Sequence, residues 1–186
     1  MLELLGDLPD RVVYLSSTGV YGAANFVDAN TPVDPSTERA RVRVEAEQSI
    51  AAGPWSSLVL RPAAIYGPGR GIQESIQRGI YSMSDTFVSR IHVDDLAAHV
   101  EAALLSNITG AYPVADEEPC TSRTMAEFCA NQLNLPVRKR SEGGAEPKSR
   151  FASNRRVDGS AIRRLLGITL AYPSYRVGVP AALRPC

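Results

Sequence analysis

Apolar residues fall in two patterns along the chain: short continuous runs, and stretches in which they recur every three or four positions. The first pattern reads as strands buried on both faces, the second as helices with one apolar side. Residues 11–17 (RVVYLSS) form the first continuous run and pass into small polar residues and Gly19. Residues 1–8 before it read as the last turns of a helix, stopped by Gly6 and Pro9. A polar stretch with Asp28, Pro32 and Pro35 follows Tyr21 and Gly22. Ser36 or Thr37 then caps a helix to about Ala51, with Glu38 favourable in its first turn. On this helix Val42, Ala46 and Ile50 make one row, and Arg39, Arg43 and Glu47 an adjacent one.

Residues 57–65 (SLVLRPAAI) read as a second buried strand that runs into the turn cluster Tyr66-Gly67-Pro68-Gly69-Arg70. A helix around 72–80 and a strand near 86–93 come next. Asp94 or Asp95 caps a helix over about 96–105, whose apolar side is Ala97, Val100, Ala103 and Leu104. Residues 110–115 form another strand candidate. Thr121 or Ser122 caps a helix to about Leu133, closed by Pro136. Residues 138–156 hold both lysines, several arginines and Gly143-Gly144 without apolar periodicity, and read as a mobile surface loop or lid. Asp158 caps a last amphipathic helix over 162–166, with Gly167 as its stop. No repeat is evident.

Strands alternating with helices predict an α/β fold with a parallel sheet. In such sheets ligands bind beyond the carboxyl ends of the strands, which here means residues 17–22 and 65–70. The 186 residues fit one domain or slightly more. Twenty basic residues balance twenty acidic ones, which argues against an overall electrostatic grip on nucleic acid or an anionic membrane. No apolar run nears the ~20 residues of a membrane span, and the start has no secretory pattern. Cys120, Cys129 and Cys186 are too few and too irregular for a disulfide framework or zinc site, so a reducing cytoplasm is expected. Only Lys139 and Lys148 are lysines, so the first 138 residues contain none. His92 and His99, with Asp94 and Asp95 nearby, read as a strand end and helix caps rather than a metal site.

Three segments in order, VVYLSSTGVYG (12–22), LRPAAIYGPGR (60–70) and SRIHVDDLA (89–97), resemble successive motifs of the extended short-chain dehydrogenase/reductase family, which includes the NAD-dependent epimerases and dehydratases. Asn154-Arg155-Arg156-Val157 and LLGITLAYPSYRVGV (165–179) are similar to that family's substrate-side end. The resemblance implies the C-terminal portion of a Rossmann-type parallel sheet with a small substrate-side lobe. Residues 1–70 would be the remainder of the NAD(P)-binding domain. Residues 71–186 would be the substrate-side region, interleaved with the last strands. The family's GxxGxxG turn is not in this sequence, and neither is the strand before it. About three strand–helix units, on the order of 90 residues, are expected to be missing. NAD or NADP is the implied cofactor of an intact parent, with binding by this chain alone doubtful.

The resemblance places Ser17 at the catalytic serine, with Thr18 beside it. It places Ser16, Arg43, Pro62, Ala63, Ala64 and Ile65 against the cofactor, and Thr18, Tyr21, Arg70 and Arg90 against a small-molecule substrate. The family's Tyr-x-x-x-Lys puts a phenol and an ammonium on one helix face, where the cation draws the tyrosine pKa toward neutrality. Here Arg39 and Arg43 occupy those positions; using Glu45 as the register mark gives Thr37 and Arg41 instead. Neither register has Tyr or Lys, and arginine is a poor acid or base near neutral pH. Tyr21 and Tyr66 are the remaining phenols on the two loops. Arg39 and Arg43 also fit a plain basic row paired with Glu47, and Arg70 and Arg90 fit structural ion pairs. The expected function is that of an NAD(P)-dependent epimerase/dehydratase-like oxidoreductase on a sugar nucleotide or small hydroxylated metabolite. The rival is a non-catalytic nucleotide- or protein-binding module with a degenerate site. An incomplete sheet also predicts a homo-oligomer or a partner at the strand edge.

Overall fold

A computed structural model describes residues 8–78, 83–136 and 154–184. Three parallel strands form the central sheet: β1 (Arg11–Leu15), β3 (Ser56–Pro62) and β7 (Gly110–Val114), in the order β1-β3-β7. Val13 pairs with Leu58, and Leu58 with Gly110. β3 lies in the middle, so Leu58, Val59 and Leu60 are all buried, as its unbroken apolar run requires. Burying a side chain of this size stabilises by roughly 1.5–3 kcal/mol.

α1 (Glu38–Ala51) covers one face of this sheet, and α3 (Val93–Leu104) and α5 (Ser160–Leu166) lie against it through a core of Leu58, Leu60, Leu96, Ala103, Val114 and Ile162. The predicted 57–65 strand divides at Ala63. β3 stops at Pro62, whose ring nitrogen has no proton for a ladder, and Ala63 N donates to Val114 O at 2.9 Å. The chain then re-pairs as β4 (Ala64–Tyr66) alongside β6 (Arg90–His92). Two small ribbons complete the strands: β2 (Phe26–Val27) beside β9 (Arg156–Val157), and β5 (Phe87–Val88) antiparallel to β8 (Cys120–Thr121). A separate core joins α2 (Ile72–Gln77), α4 (Ser122–Gln132) and α6 (Tyr175–Ala182) through Tyr66, Ile76, Met125, Cys129, Tyr175 and Val179.

Several helix details differ from the sequence expectation. Thr37 does cap α1, its Oγ1 accepting from Ala40 N at 3.2 Å. The expected apolar row, however, is not the buried one: Val42 is 53% exposed while Ala40 and Glu47 are buried. Glu47 goes inward because Arg61 on β3 meets it at 2.6 Å, so it does not pair with Arg43. On α3 the cap is His92, whose Nδ1 accepts from Asp94 N at 3.3 Å, and not Asp94 or Asp95. Asp95 is buried and accepts from Ala171 N and Tyr172 N, tying the segment before α6 to α3. Ala97 and Leu104 face solvent, and His99 takes the inward place, donating from Nδ1 to Asp95 O at 2.6 Å. Gly159 is the N-cap of α5, although Asp158 Oδ1 accepts from Ser160 N in its first turn. The expected helix over 1–8, the end of the 72–80 helix and most of the 138–156 loop lie outside the described residues. No helix among the described residues is long and apolar enough to cross a membrane.

Candidate functional site

The carboxyl ends of β1 and β3 open into a cleft of about 930 Å³. Ser16 continues β1, with its N–H donating to Leu60 O at 2.8 Å. Ser17 turns the chain into a short 3₁₀ helix (Thr18–Tyr21), and its Oγ accepts from Gly19 N at 3.1 Å. That bond uses a lone pair and leaves the hydroxyl proton for an outside acceptor. Gly22 ends the turn at φ 55°. A Cβ there would come within 2.1 Å of the Asp34 carbonyl, so only glycine fits.

The whole turn is fastened by Arg155. Its Nε donates to Ala24 O at 3.0 Å, and its two terminal nitrogens to Thr18 O and Gly22 O. One planar guanidinium thus satisfies three loop carbonyls from a position far along the chain. Arg61 braces the loop from beneath, joining Glu47 and donating from Nη1 to Tyr21 Oη at 3.1 Å.

Ser16, Ser17, Arg43, Pro62, Ala63, Ala64, Ile65 and Arg70 all line the cleft. Thr18 lines an adjoining hollow of about 300 Å³ that shares Ser17, Ala63, Ala64 and Arg155 with it. Ser16 Oγ is buried and has no hydrogen-bond partner, an orphan that a bound ligand would satisfy. Arg39, Asn25, Asn154 and Arg155 line the cleft as well. Arg39 was visible in the sequence as a register mark. Arg155 was legible only through the similarity of 154–157 to the family's end.

Two expected residues are elsewhere. Tyr21 is 1% exposed and bonded to Arg61, and burial pushes its phenol above the ordinary value. Arg90 is 7% exposed and donates to Val88 O and Cys120 Sγ, facing the interior. Tyr21 is sealed beneath its own loop, and Arg90 is sealed in the interior at the start of β6. Tyr66 is sealed too: burial raises its phenol, and its oxygen lies against Gly178 of α6, where a Cβ would come within 2.0 Å. No phenol therefore reaches the cleft among the described residues, and the only charged groups on its wall are guanidiniums.

His92 meets Tyr66 edge to face and lies tilted over Tyr172, with ring centroids 5.2 and 3.8 Å away. No group of three or more His, Cys, Asp or Glu among the described residues is placed to hold a metal ion. A further cavity of about 590 Å³ beside β2 and β9 has Asp116 on its wall. Burial pushes the Asp116 carboxyl up to about 8, against the pull of Arg90.

No family profile matches the chain. A curated relative, 3-diazoavenalumate denitrifying reductase of a Streptomyces species, is 26% identical over 170 residues, covering 83% of this chain and 55% of the reductase. A conserved protein of unknown function from Silicibacter pomeroyi is 35% identical with a TM-score of 0.80, covering 92% of this chain and 65% of its own. A provisionally assigned NAD-dependent epimerase/dehydratase from Methylobacillus flagellatus is 27% identical with a TM-score of 0.76, covering 94% and 63%. The chain thus spans between about half and two thirds of these proteins. More distant neighbours, all below 25% identity, include crystal structures that hold NAD or NADPH. Motifs and architecture agree: the chain shares the Rossmann-type α/β fold of the NAD-dependent epimerase/dehydratases, in the extended short-chain dehydrogenase/reductase family.

Proposed function

We propose that this chain forms the nicotinamide- and substrate-facing half of an NAD(P)-dependent reductase site, with residues 1–70 on the cofactor side and 71–186 on the substrate side. The observation that carries the reading is the cleft at the ends of β1 and β3, which gathers Ser16, Ser17, Arg43 and residues 62–65 on one wall system. The residues fit a nicotinamide riboside: Ser16 Oγ lacks a partner, Arg43 offers donors to ribose oxygens, and the backbone of 62–65 flanks a flat ring. The nicotinamide, when bound, supplies the hydride chemistry. Ser17 donates its free hydroxyl proton as a hydrogen bond to the reacting oxygen or nitrogen and orients it. Arg43 holds position and adds positive charge without exchanging a proton.

Reduction of an acceptor that needs no protein acid is favoured over epimerisation or dehydration, which take protons from the substrate and return them, because the charged side chains on the described cleft wall are all arginines. An acceptor that takes a hydride while another group leaves, or that is protonated by water, suits such a site. The curated relative's name, a denitrifying reductase of a diazo compound, is of that kind. The missing phenol and ammonium also support a second reading, a nucleotide-binding module without turnover.

Ligand-observed NMR with dihydronicotinamide riboside tests the cleft. The expected result is saturation transfer to the ring protons, abolished by Ala64→Trp, which fills the cleft from an exposed position. No transfer, or transfer indifferent to Ala64→Trp, overturns the reading. Deuteride exchange from labelled NADH to an acceptor separates the reductase from the binding module.

A further inference from the structure

Every arginine side chain of a folded chain either has a partner or is held out in water. Most of the described arginines here have one. Arg41, Arg61, Arg78, Arg123, Arg163 and Arg176 meet carboxylates. Arg11, Arg90 and Arg155 donate to backbone carbonyls, Arg164 donates to Ser160, and Arg156 stacks on Phe87 at 3.5 Å. The exceptions among the described residues are Arg39, Arg43, Arg70 and Arg184. Arg39, Arg43 and Arg70 all line the same cleft, and among the described residues no Asp or Glu does.

Arg39 and Arg43 stand four apart on α1, hence on one side of it. Like charges at that spacing repel and weaken a helix, so the pair costs stability unless something anionic sits against it. The first turn of α1 faces the same space: Ser36, Thr37 and Ala40 also line the cleft. The helix end therefore adds its partial positive charge. Ser16 Oγ, 6% exposed at residue level and without a partner, is a buried hydroxyl in the same wall.

From this we infer that Arg39 and Arg43, joined by Arg70 from the turn after β4, dock an oxyanion carried by the substrate, so that the substrate is an organic acid or a phosphate ester. This deepens the reading above and rests on it for what lies beside the anion. Guanidiniums bind carboxylate and phosphate through paired hydrogen bonds, and two of them on one helix face span an oxyanion from two sides. Where the family pattern has a phenol and an ammonium, this chain has exchanged proton transfer for substrate grip.

The test uses benzoate and phenyl phosphate, which carry the two oxyanions on an apolar body, and dihydronicotinamide riboside, which carries none. Each is titrated by NMR into the wild type, the Arg39→Ala/Arg43→Ala double variant and Arg41→Ala. Arg39 is exposed and Arg43 half-buried, so the double variant keeps the fold, which its melting temperature verifies. The expected result is at least tenfold weaker binding of benzoate or phenyl phosphate in the double variant. Arg41→Ala leaves that affinity unchanged; dihydronicotinamide riboside binds alike to the wild type and Arg41→Ala, and loses in the double variant only the ribose contact of Arg43, a smaller factor than the oxyanions lose. Unchanged oxyanion affinity in the double variant overturns the inference. So does competitive displacement of both oxyanions by NADH, because the pair then serves the cofactor's diphosphate. Failure of dihydronicotinamide riboside alone sinks the nicotinamide reading and leaves the oxyanion site standing.

Discussion

The cleft and the layer beneath it use the same residue in opposite ways. Arg39, Arg43 and Arg70 line the cleft with no side-chain partner among the described residues, whereas Arg155 on the same wall and Arg61 beneath it are committed to Glu47, Tyr21 and three loop carbonyls. The buried set holds the Ser17 loop in shape; the open set is left to meet a ligand. Arginine suits both tasks because its charge survives burial and its donors are fixed in a plane. What separates the tasks is which acceptors the fold brings near.

Variants should divide along the same line. The largest effect is expected from Arg155→Ala, which strands the carbonyls of Thr18, Gly22 and Ala24. At roughly 1–3 kcal/mol per buried unsatisfied group, a loss of at least ~3 kcal/mol should appear in urea unfolding. A loss under 1 kcal/mol would place those carbonyls in water and undo the contrast. Arg61→Met comes next: it leaves Glu47 buried without its partner, at a cost of about 3 kcal/mol. Adding Glu47→Leu should recover most of that, and a double-mutant cycle with no coupling would deny the pair its place beneath the cleft.

Asp116 gives a pH-dependent effect. Its carboxyl ionises at about 8 in the folded chain against 3.8 ordinarily. The folded state therefore holds a proton that the unfolded state has lost, and stability falls as pH rises from about 4 to about 8. His92 and His99, both depressed by burial, act in the opposite direction below pH 6.5, so the window to read is pH 7 to 8. The urea midpoint should fall across it in the wild type and stay level in Asp116→Asn. The smallest effect belongs to Arg41→Ala. Its pair with Glu38 is exposed on both sides, and the melting temperature should hardly move, since such pairs contribute ~0–1 kcal/mol.

Much of this architecture was legible beforehand. The unbroken run at 58–60 marked the central strand, the pairs Ser36/Thr37 and Thr121/Ser122 marked two helix starts of which the threonines are the caps, and Gly167 marked the end of α5 in the left-handed region. What misled was the assumption that the apolar side of a helix is the buried side. On α1 a carboxylate went inward because a guanidinium on β3 was waiting for it, and on α3 a histidine did so because its ring found the Asp95 carbonyl. The α1 partner is not local, so no periodicity records it; the α3 partner is one turn away, but an apolar count gives a histidine no weight. α6 escaped notice because Gly178 and Pro180 interrupt it; Gly178 is there to admit the Tyr66 phenol. For the cleft, strand ends told which loops to inspect. They could not tell that Tyr21 and Arg90 turn inward, since that depends on Arg61, Val88 and Cys120 arriving from other elements.

Arg155 also imposes an order of events. The Ser17 loop leaves the ribosome first, and the side chain that fastens it follows 137 residues after Thr18. Until then the loop has its own short-range bonds, such as Gly19 N to Ser17 Oγ, and the brace from Arg61 to Tyr21. A nascent chain must therefore carry a cleft without its Arg155 fastening until that residue has been made. Contacts so distant in sequence slow folding. Ligand capture would begin only when the segment that carries Arg155 has emerged and docked.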